Sequence, residues 1–383
     1  MDPNNTDQPD RRHPKHEEIS KALREEVISG HYGTEGRLPS EAQLVKRFLA
    51  SRPTVARALR TLQEEELVER RAGAGSFVIP FSKRSASASR HCKTLAMLIP
   101  DLRNTEIFQQ IAGEIASLAR VKGYSILWGS TGGPKLDSDV SLEHGESLAK
   151  QFIERRVDGV FFTPYELVEG KSKANRRMAQ SLHDAGIPLI LIDRDFLPFP
   201  RRGAFDVVGI DNIAGGYALG EHLIKLGARK ICFVHPKHSA ATIGGRIAGL
   251  RAAIDEKGLT WNSKSVFEGN PGDPLSVRKI IGEGQPDAIV GSNDHTAAVL
   301  LQTLTKCQIP VPGEIRVAGF DDVGFATLVS PTLTTMRQPC QDIARAAFLA
   351  MLERMEDPTI PARQISLVPR LIVRDSCGAY LKR

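Results

Sequence analysis

No stretch of this 383-residue sequence approaches the roughly 18 consecutive apolar residues that a membrane-crossing helix needs. Its cleanest apolar runs, such as Leu95 to Pro100, have the length of buried strands. A spanning helix is therefore excluded, and no membrane partner is expected. Cysteine is scarce: Cys92, Cys232, Cys307, Cys340 and Cys377 stand far apart without a C-x-x-C pair, which gives neither a zinc framework nor a redox motif. They read as reduced small hydrophobes of a cytoplasmic protein. His235 and His238 have H-x-x-H spacing but no evident third ligand, so no metal is expected. The first sixteen residues lack the basic and apolar regions of an export signal. Phosphate-cradling and nucleophile motifs are missing too: there is no G-x-G-x-x-G after a strand, no G-x-x-x-x-G-K-[ST] and no G-x-S-x-G. Gly215, Gly216 and Gly220 come nearest, at the wrong spacing. Neither catalysis nor a cofactor is expected.

What remains is a soluble globular composition, 41% apolar and 25% charged, long enough for two or three domains. The net charge of +6 points to nucleic acid only weakly. Residues 1–14 lack hydrophobic periodicity and read as a disordered tail. Residues 81–92, containing SKRSASASRHC, are small, polar and basic and read as a linker. The chain divides accordingly into a unit at 15–80 and a larger one at 93–383.

In the smaller unit, Ile19, Leu23, Val27 and Ile28 recur at helical spacing and Gly30 supplies a stop. Ser40 is a natural N-cap with Gln43 completing a capping box. Ser51 caps a third helix that has Pro53 in its first turn and Val55, Ala58, Leu59 and Leu62 facing inward. Leu67 to Arg71 and Ser76 to Ile79 flank the glycine-rich Ala72-Gly73-Ala74-Gly75 as a hairpin. Three helices and a hairpin make a winged helix. With L-P-S-E, S-R-x-T-V and R-x-G-x-G-S-F-V at their spacings, Lys15 to Ile79 resembles the DNA-binding domain of the GntR family of bacterial transcription regulators.

The larger unit alternates strand-like and helix-like segments. Strands are expected at 95–100, 124–128, 159–163, 188–193, 207–210, 230–235, 288–292 and 315–320, which means doubly wound α/β layers in two lobes. Ligands of such sheets sit beyond the carboxyl ends of the strands. The sequences there, IPDLRN, LIDRD, GIDNIAGGYALGEHL, GSNDHTA and AGFDD, resemble the effector-binding core of the LacI/GalR family, which is periplasmic-binding-protein-like. The two resemblances together imply a repressor, responsive to a small sugar or polyol, that binds a palindromic double-stranded operator as a homodimer.

A recognition helix reads base edges with the side chains of its N-terminal turns while neighbouring groups fix register on phosphates. Ser40, Ser51, Arg52, Pro53, Thr54 and Arg57 stand in that region, with Arg52 suited to a bidentate pair on guanine. The resemblance adds Arg70, Arg71, Gly73 and Gly75 of the wing; Arg47 and Arg60 could equally be solvated helix faces. Ala42, Ala56 and Ala74 stand where many relatives carry cations, so the operator cannot be borrowed from them.

For the effector, the resemblance implies Asn104, Asp193, Arg194, Arg246 and Asp294, with Asp321 or Asp322, preferably Asp322, closing the back. Asp193 and Arg194 could instead pair as a hinge salt bridge. Glu106 and Ile107 replace the family's stacking aromatics; Phe108 is the nearest substitute, with Trp128, Phe162 and Tyr165 as others, although Phe162 reads as core. Glu106 suggests an amine, polyol or hydroxyl-rich ligand. The helix Asp342 to Met355, with Ile343, Ala346, Ala347, Ala350 and Met351 on one side, suits either a dimer interface or the core of its own lobe. The rival readings are a solute-binding module or an α/β enzyme without a DNA-binding role.

Overall fold

The computed structural model describes residues 15–29, 31–32, 36–64, 67–71, 75–79, 93–100, 106–129 and 138–381, which fall in two compact units divided at Cys92 and Lys93. The expected tail at 1–14 and linker at 81–92 lie outside the described residues, as do Gly30, Gly73 and Asn104.

The first unit runs α1 (Lys15–Ile28), α2 (Glu41–Phe48), α3 (Arg52–Glu64), β1 (Val68–Arg71) and β2 (Gly75–Val78). The expected capping box opens α2: Gln43 N donates to Ser40 Oγ at 3.3 Å and Ser40 N donates to Gln43 Oε1 at 2.8 Å. Two orphan amides are thereby satisfied, and α2 stops at Leu49, whose φ of 47° is left-handed. Helical spacing brings Ile19 and Leu23 of α1, Leu44 of α2 and Val55, Ala58 and Leu62 of α3 into one core. The hairpin is antiparallel, Val68 facing Val78 and Arg71 facing Gly75.

The second unit begins with β3 (Thr94–Leu98), α4 (Glu106–Val121), β4 (Ser125–Gly129), α5 (Ser138–Glu154), β5 (Gly159–Phe162), α6 (Lys171–Asp184), β6 (Leu189–Ile192) and β7 (Asp206–Ile210). The chain then builds a second lobe from α7 (Asn212–Lys225), β8 (Ile231–His235), α8 (Thr242–Glu256), β9 (Val266–Glu268), α9 (Pro274–Gly284), β10 (Ala288–Gly291), α10 (Asp294–Lys306), β11 (Arg316–Asp321), α11 (Phe325–Leu328) and β12 (Thr334–Arg337). It returns for α12 (Cys340–Glu356) and β13 (Gln364–Leu367), and closes with β14 (Arg370–Ile372). The sheet orders are β13-β7-β6-β5-β3-β4, wholly parallel, and β14-β12-β11-β10-β8-β9, in which only β14 is antiparallel. Three crossovers therefore join the lobes, after β7, β12 and β13.

All eight expected strands form, and four more were missed. Each sheet is buried on both faces: in β5, Phe161 packs toward α4 and α12 while Phe162 packs on the opposite side with α5 and α6, the period of two for a strand. Phe162 is thus core. The apolar side of α12 settles likewise, since Ile343, Ala347, Ala350 and Met351 are buried against α4 and the sheet of their own lobe. In the second lobe, α7 and α8 touch backbone to backbone. A Cβ on Gly249 would lie 1.9 Å from Ile213 O, and one on Gly216 would lie 2.1 Å from Arg246 O, so the crossing requires glycine.

Candidate functional site

A cleft lies between the lobes, at the carboxyl ends of their strands. Its chemistry comes from loops: Asp193 and Arg194 follow β6, Ser292 and Asn293 follow β10, Asp321 ends β11 and Gln338 follows β12. Arg246 reaches in from α8, and Glu106 and Phe108 from the first turn of α4.

Asp193 has a φ of 69°, and its turn is possible because Gly209 leaves room; a Cβ there would meet Asp193 O at 2.7 Å. The Arg194 guanidinium is held on several sides: Nε donates to Pro164 O at 2.9 Å, and Nη1 lies 3.0 Å from Asp193 Oδ2 and 2.9 Å from Glu166 Oε1. Its carbon sits 5.2 Å from the centre of the Phe108 ring. Asp193 and Arg194 thus pair with each other while lining the cleft, and they lie after β6 rather than at one of the three crossovers. Arg246 is positioned comparably, with Nε donating to Asn212 Oδ1 at 2.9 Å, Nη1 donating to Ser292 O at 2.5 Å, and its carbon 4.4 Å from the centre of the Phe320 ring. It approaches Asp321 Oδ1 only to 3.7 Å.

Burial dominates the electrostatics. It pushes the Asp193 carboxyl above the ordinary carboxylate range against the pull of Arg194, and Asp321 up to about 6 against the pull of Arg246. Two buried acceptors, Asp193 Oδ1 and Gln338 Oε1, have no hydrogen-bond partner among the described residues. A buried acceptor left unpaired costs about 1–3 kcal/mol, so the cleft favours a molecule that brings donors to it.

The lobes also touch across the cleft. Gly324 N donates to Glu106 Oε2 at 2.7 Å, Leu167 N donates to His238 O at 2.6 Å, and Lys171 Nζ donates to Ser239 O at 2.5 Å and to His238 O. Burial lowers the Lys171 ammonium to about 8.

Two sequence-expected residues take other roles. Asp294 is fully buried beneath the cleft wall rather than lining it; its oxygens accept from Val323 N at 3.0 Å and Thr335 Oγ1 at 2.5 Å. Asp322 turns away to pair with Arg337 at 2.5 Å and Arg374 at 2.6 Å, and Asp321 lines the cleft instead. Phe108, Asp193, Arg194 and Arg246 do come together, while Asn104 is outside the described residues. Sequence reading missed Glu166, Asn293 and Gln338. Asn293 adjoins the flagged Asp294 and caps α10 through Thr296 N at 2.9 Å.

In the first unit, Arg52, Pro53, Arg57 and Arg60 are exposed on α3, and the three arginines make no ion pair among the described residues. Ser51 Oγ and Thr54 Oγ1 are 2.7 Å apart, which fixes the helix start. Arg47 is committed to Glu26, with Nη1 3.1 Å from Oε2. Arg70 pairs with Glu41 at 2.5 Å; Arg71 pairs with Glu69 and lies over the Phe77 ring at 4.6 Å. Gly75 is exposed with a φ of 114°, and the other wing positions, Ala72, Gly73 and Ala74, lie outside the described residues. Among the described residues, α3 thus presents Arg52, Arg57 and Arg60 without ion pairs.

Residues 15–78 match the profile of bacterial regulatory proteins of the gntR family, and residues 221–377 match a periplasmic binding protein-like domain. The chain is 27% identical to the arabinose metabolism transcriptional repressor of Geobacillus stearothermophilus over 372 residues, 95% of this chain and 97% of that one. It is 28% identical to the HTH-type transcriptional repressor PurR of Vibrio vulnificus over 288 residues, 74% and 81% of the two chains. Among solved structures, the transcriptional regulator CelR in complex with cellobiose superposes with a TM-score of 0.63 at 20% identity, covering 95% of this chain and 100% of that one. A periplasmic binding protein/LacI transcriptional regulator from Alkaliphilus metalliredigens complexed with D-xylulofuranose gives 0.60 at 22% identity, covering 74% and 98%.

Proposed function

We propose that the chain, which matches the gntR-family profile over 15–78 and a periplasmic binding protein-like domain over 221–377, is a transcription repressor whose operator affinity is set by a small hydroxyl-rich effector held between the two lobes. One observation carries this reading. The same chain has an α3 face with Arg52, Arg57 and Arg60 unpaired among the described residues, and a cleft with buried acceptors that lack donors. The first suits a polyanion in a groove and the second a polyhydroxylated molecule. The relatives crystallised with cellobiose and with D-xylulofuranose support a sugar-like effector.

The effector sites we assign are Phe108, Asp193, Arg194, Arg246, Asn293, Asp321 and Gln338. The DNA contacts are Arg52, Thr54 and Arg57 with the wing, positioned by the Ser40 and Ser51 caps. Two heads on a palindrome double the contacts of one, so the working form is a homodimer.

Gel retardation and footprinting on the DNA upstream of the protein's own gene test the DNA half. Arg52→Ala should abolish the footprint, since one lost bidentate base contact costs roughly 1–3 kcal/mol per half-site; a retained footprint contradicts the assignment. A thermal-shift screen of sugars, sugar acids, polyols and amino sugars tests the effector half. Stabilisation that Arg194→Ala removes supports it, and the absence of any stabilising member contradicts it.

A further inference from the structure

Resting on that effector reading, we propose that the cleft takes a ligand carrying a positively charged amine beside its hydroxyls, so that amino sugars and amino polyols, rather than neutral or acidic sugars, are its class.

Four carboxylates line the cleft, Glu106, Glu166, Asp193 and Asp321, against two guanidiniums, Arg194 and Arg246. The Lys171 ammonium, held by Ser239 O at the edge of the cleft, lessens that surplus without cancelling it. The two guanidiniums are also shared or distant. Arg194 divides itself between Asp193 and Glu166, Arg246 lies 3.7 Å from Asp321, and among the described residues Glu106 accepts from the amide of Gly324 alone. Burial raises both Asp193 and Asp321, as expected of carboxylates with too little compensating charge.

The unpaired atoms point the same way. Asp193 and Gln338 are 6% and 4% exposed, and each leaves one acceptor oxygen without a donor among the described residues. An ammonium group supplies three donors and the missing charge together. A sugar acid or sugar phosphate would bring further acceptors and the wrong sign; a neutral sugar would satisfy the acceptors and leave the surplus uncompensated.

Isothermal titration of the full-length chain with D-glucosamine, D-glucose and D-glucuronate, and with the galacto and manno trios, decides the matter. At least one amine should bind at least about tenfold more tightly than its neutral parent, with the acid weakest, as expected for one added charge contact in a partly buried site. Glu106→Gln and Glu166→Gln keep acceptors in place and remove charge, so each should cut the affinity of the amine more than that of the neutral parent; melting of the unliganded variants shows whether they fold. Neutral or acidic members binding as tightly as the amines, or an amine preference unchanged in both variants, overturns the amine assignment and leaves the effector reading standing. If no amine binds at millimolar concentration the assignment also falls, and the effector reading falls with it only if the wider sugar screen is empty as well.

Discussion

Asp321 ends β11 at a φ of 112°, with Arg246 and Gln338 pulling its pKa down while burial, Asp193 and Glu166 push it up to about 6. Its folded value lies above the ordinary 3.8, so the stability it contributes is complete below about pH 4 and is lost as the pH rises through about 6. Asp321→Asn removes that ionisation. Its melting temperature should gain on wild type between about pH 4 and pH 7, by up to about 3 kcal/mol in stability; parallel pH curves would contradict this. At this scale the sequence was half legible. It pointed to the loop at the end of β11 but preferred Asp322, because neighbouring residues at a strand end face opposite ways and nothing in D-D says which faces the cleft. Asp294 fell to the same ambiguity, one residue past the Asn293 that lines the cleft. Glu166 and Gln338 had no local signal at all, since their partners lie far away in sequence.

The elements were more legible, for physical reasons that differ between them. Most of the expected strands are continuous apolar runs buried on both faces, the half-exposed edge strand β4 excepted, whereas Thr334–Arg337 is rich in threonine and Gln364–Leu367 alternates as an edge strand. Gly216 and Gly220 of α7, which come nearest to a phosphate loop in the sequence, belong to helix packing, as do Gly245 and Gly249 of α8. That crossing holds Arg246 in place. Gly249→Ala sets a Cβ against Ile213 O and must force the helices apart, at a cost of about 1–3 kcal/mol or more. A lowered melting temperature should accompany a lost effector-induced shift. A melting temperature equal to that of wild type would show that the helices do not meet at this glycine.

For the whole molecule, the fold classes were readable, because each stretch has its own periodicity: helical in the first unit and strand-helix alternation in the second. The assembly was not readable. The apolar side of α12 is spent inside its own lobe, which leaves that helix with few apolar groups to offer a second copy; its exposed Leu349 is one. The proposed homodimer rests on the operator symmetry we propose, and sedimentation at micromolar concentration should give a dimer with DNA present; a monomer with and without DNA would contradict it. Coupling between cleft and operator is a free energy shared by both sites, so each ligand must alter the affinity for the other by the same factor. A ligand that binds equally well to the free and operator-bound protein shifts nothing. The decisive measurement is therefore the dissociation constant of a thermal-shift hit titrated into the protein with and without saturating operator DNA, beside the operator constant with and without saturating ligand. The expected result is one common factor of at least about fivefold in both experiments; identical ligand affinities with and without operator would contradict the proposal that the cleft controls DNA binding.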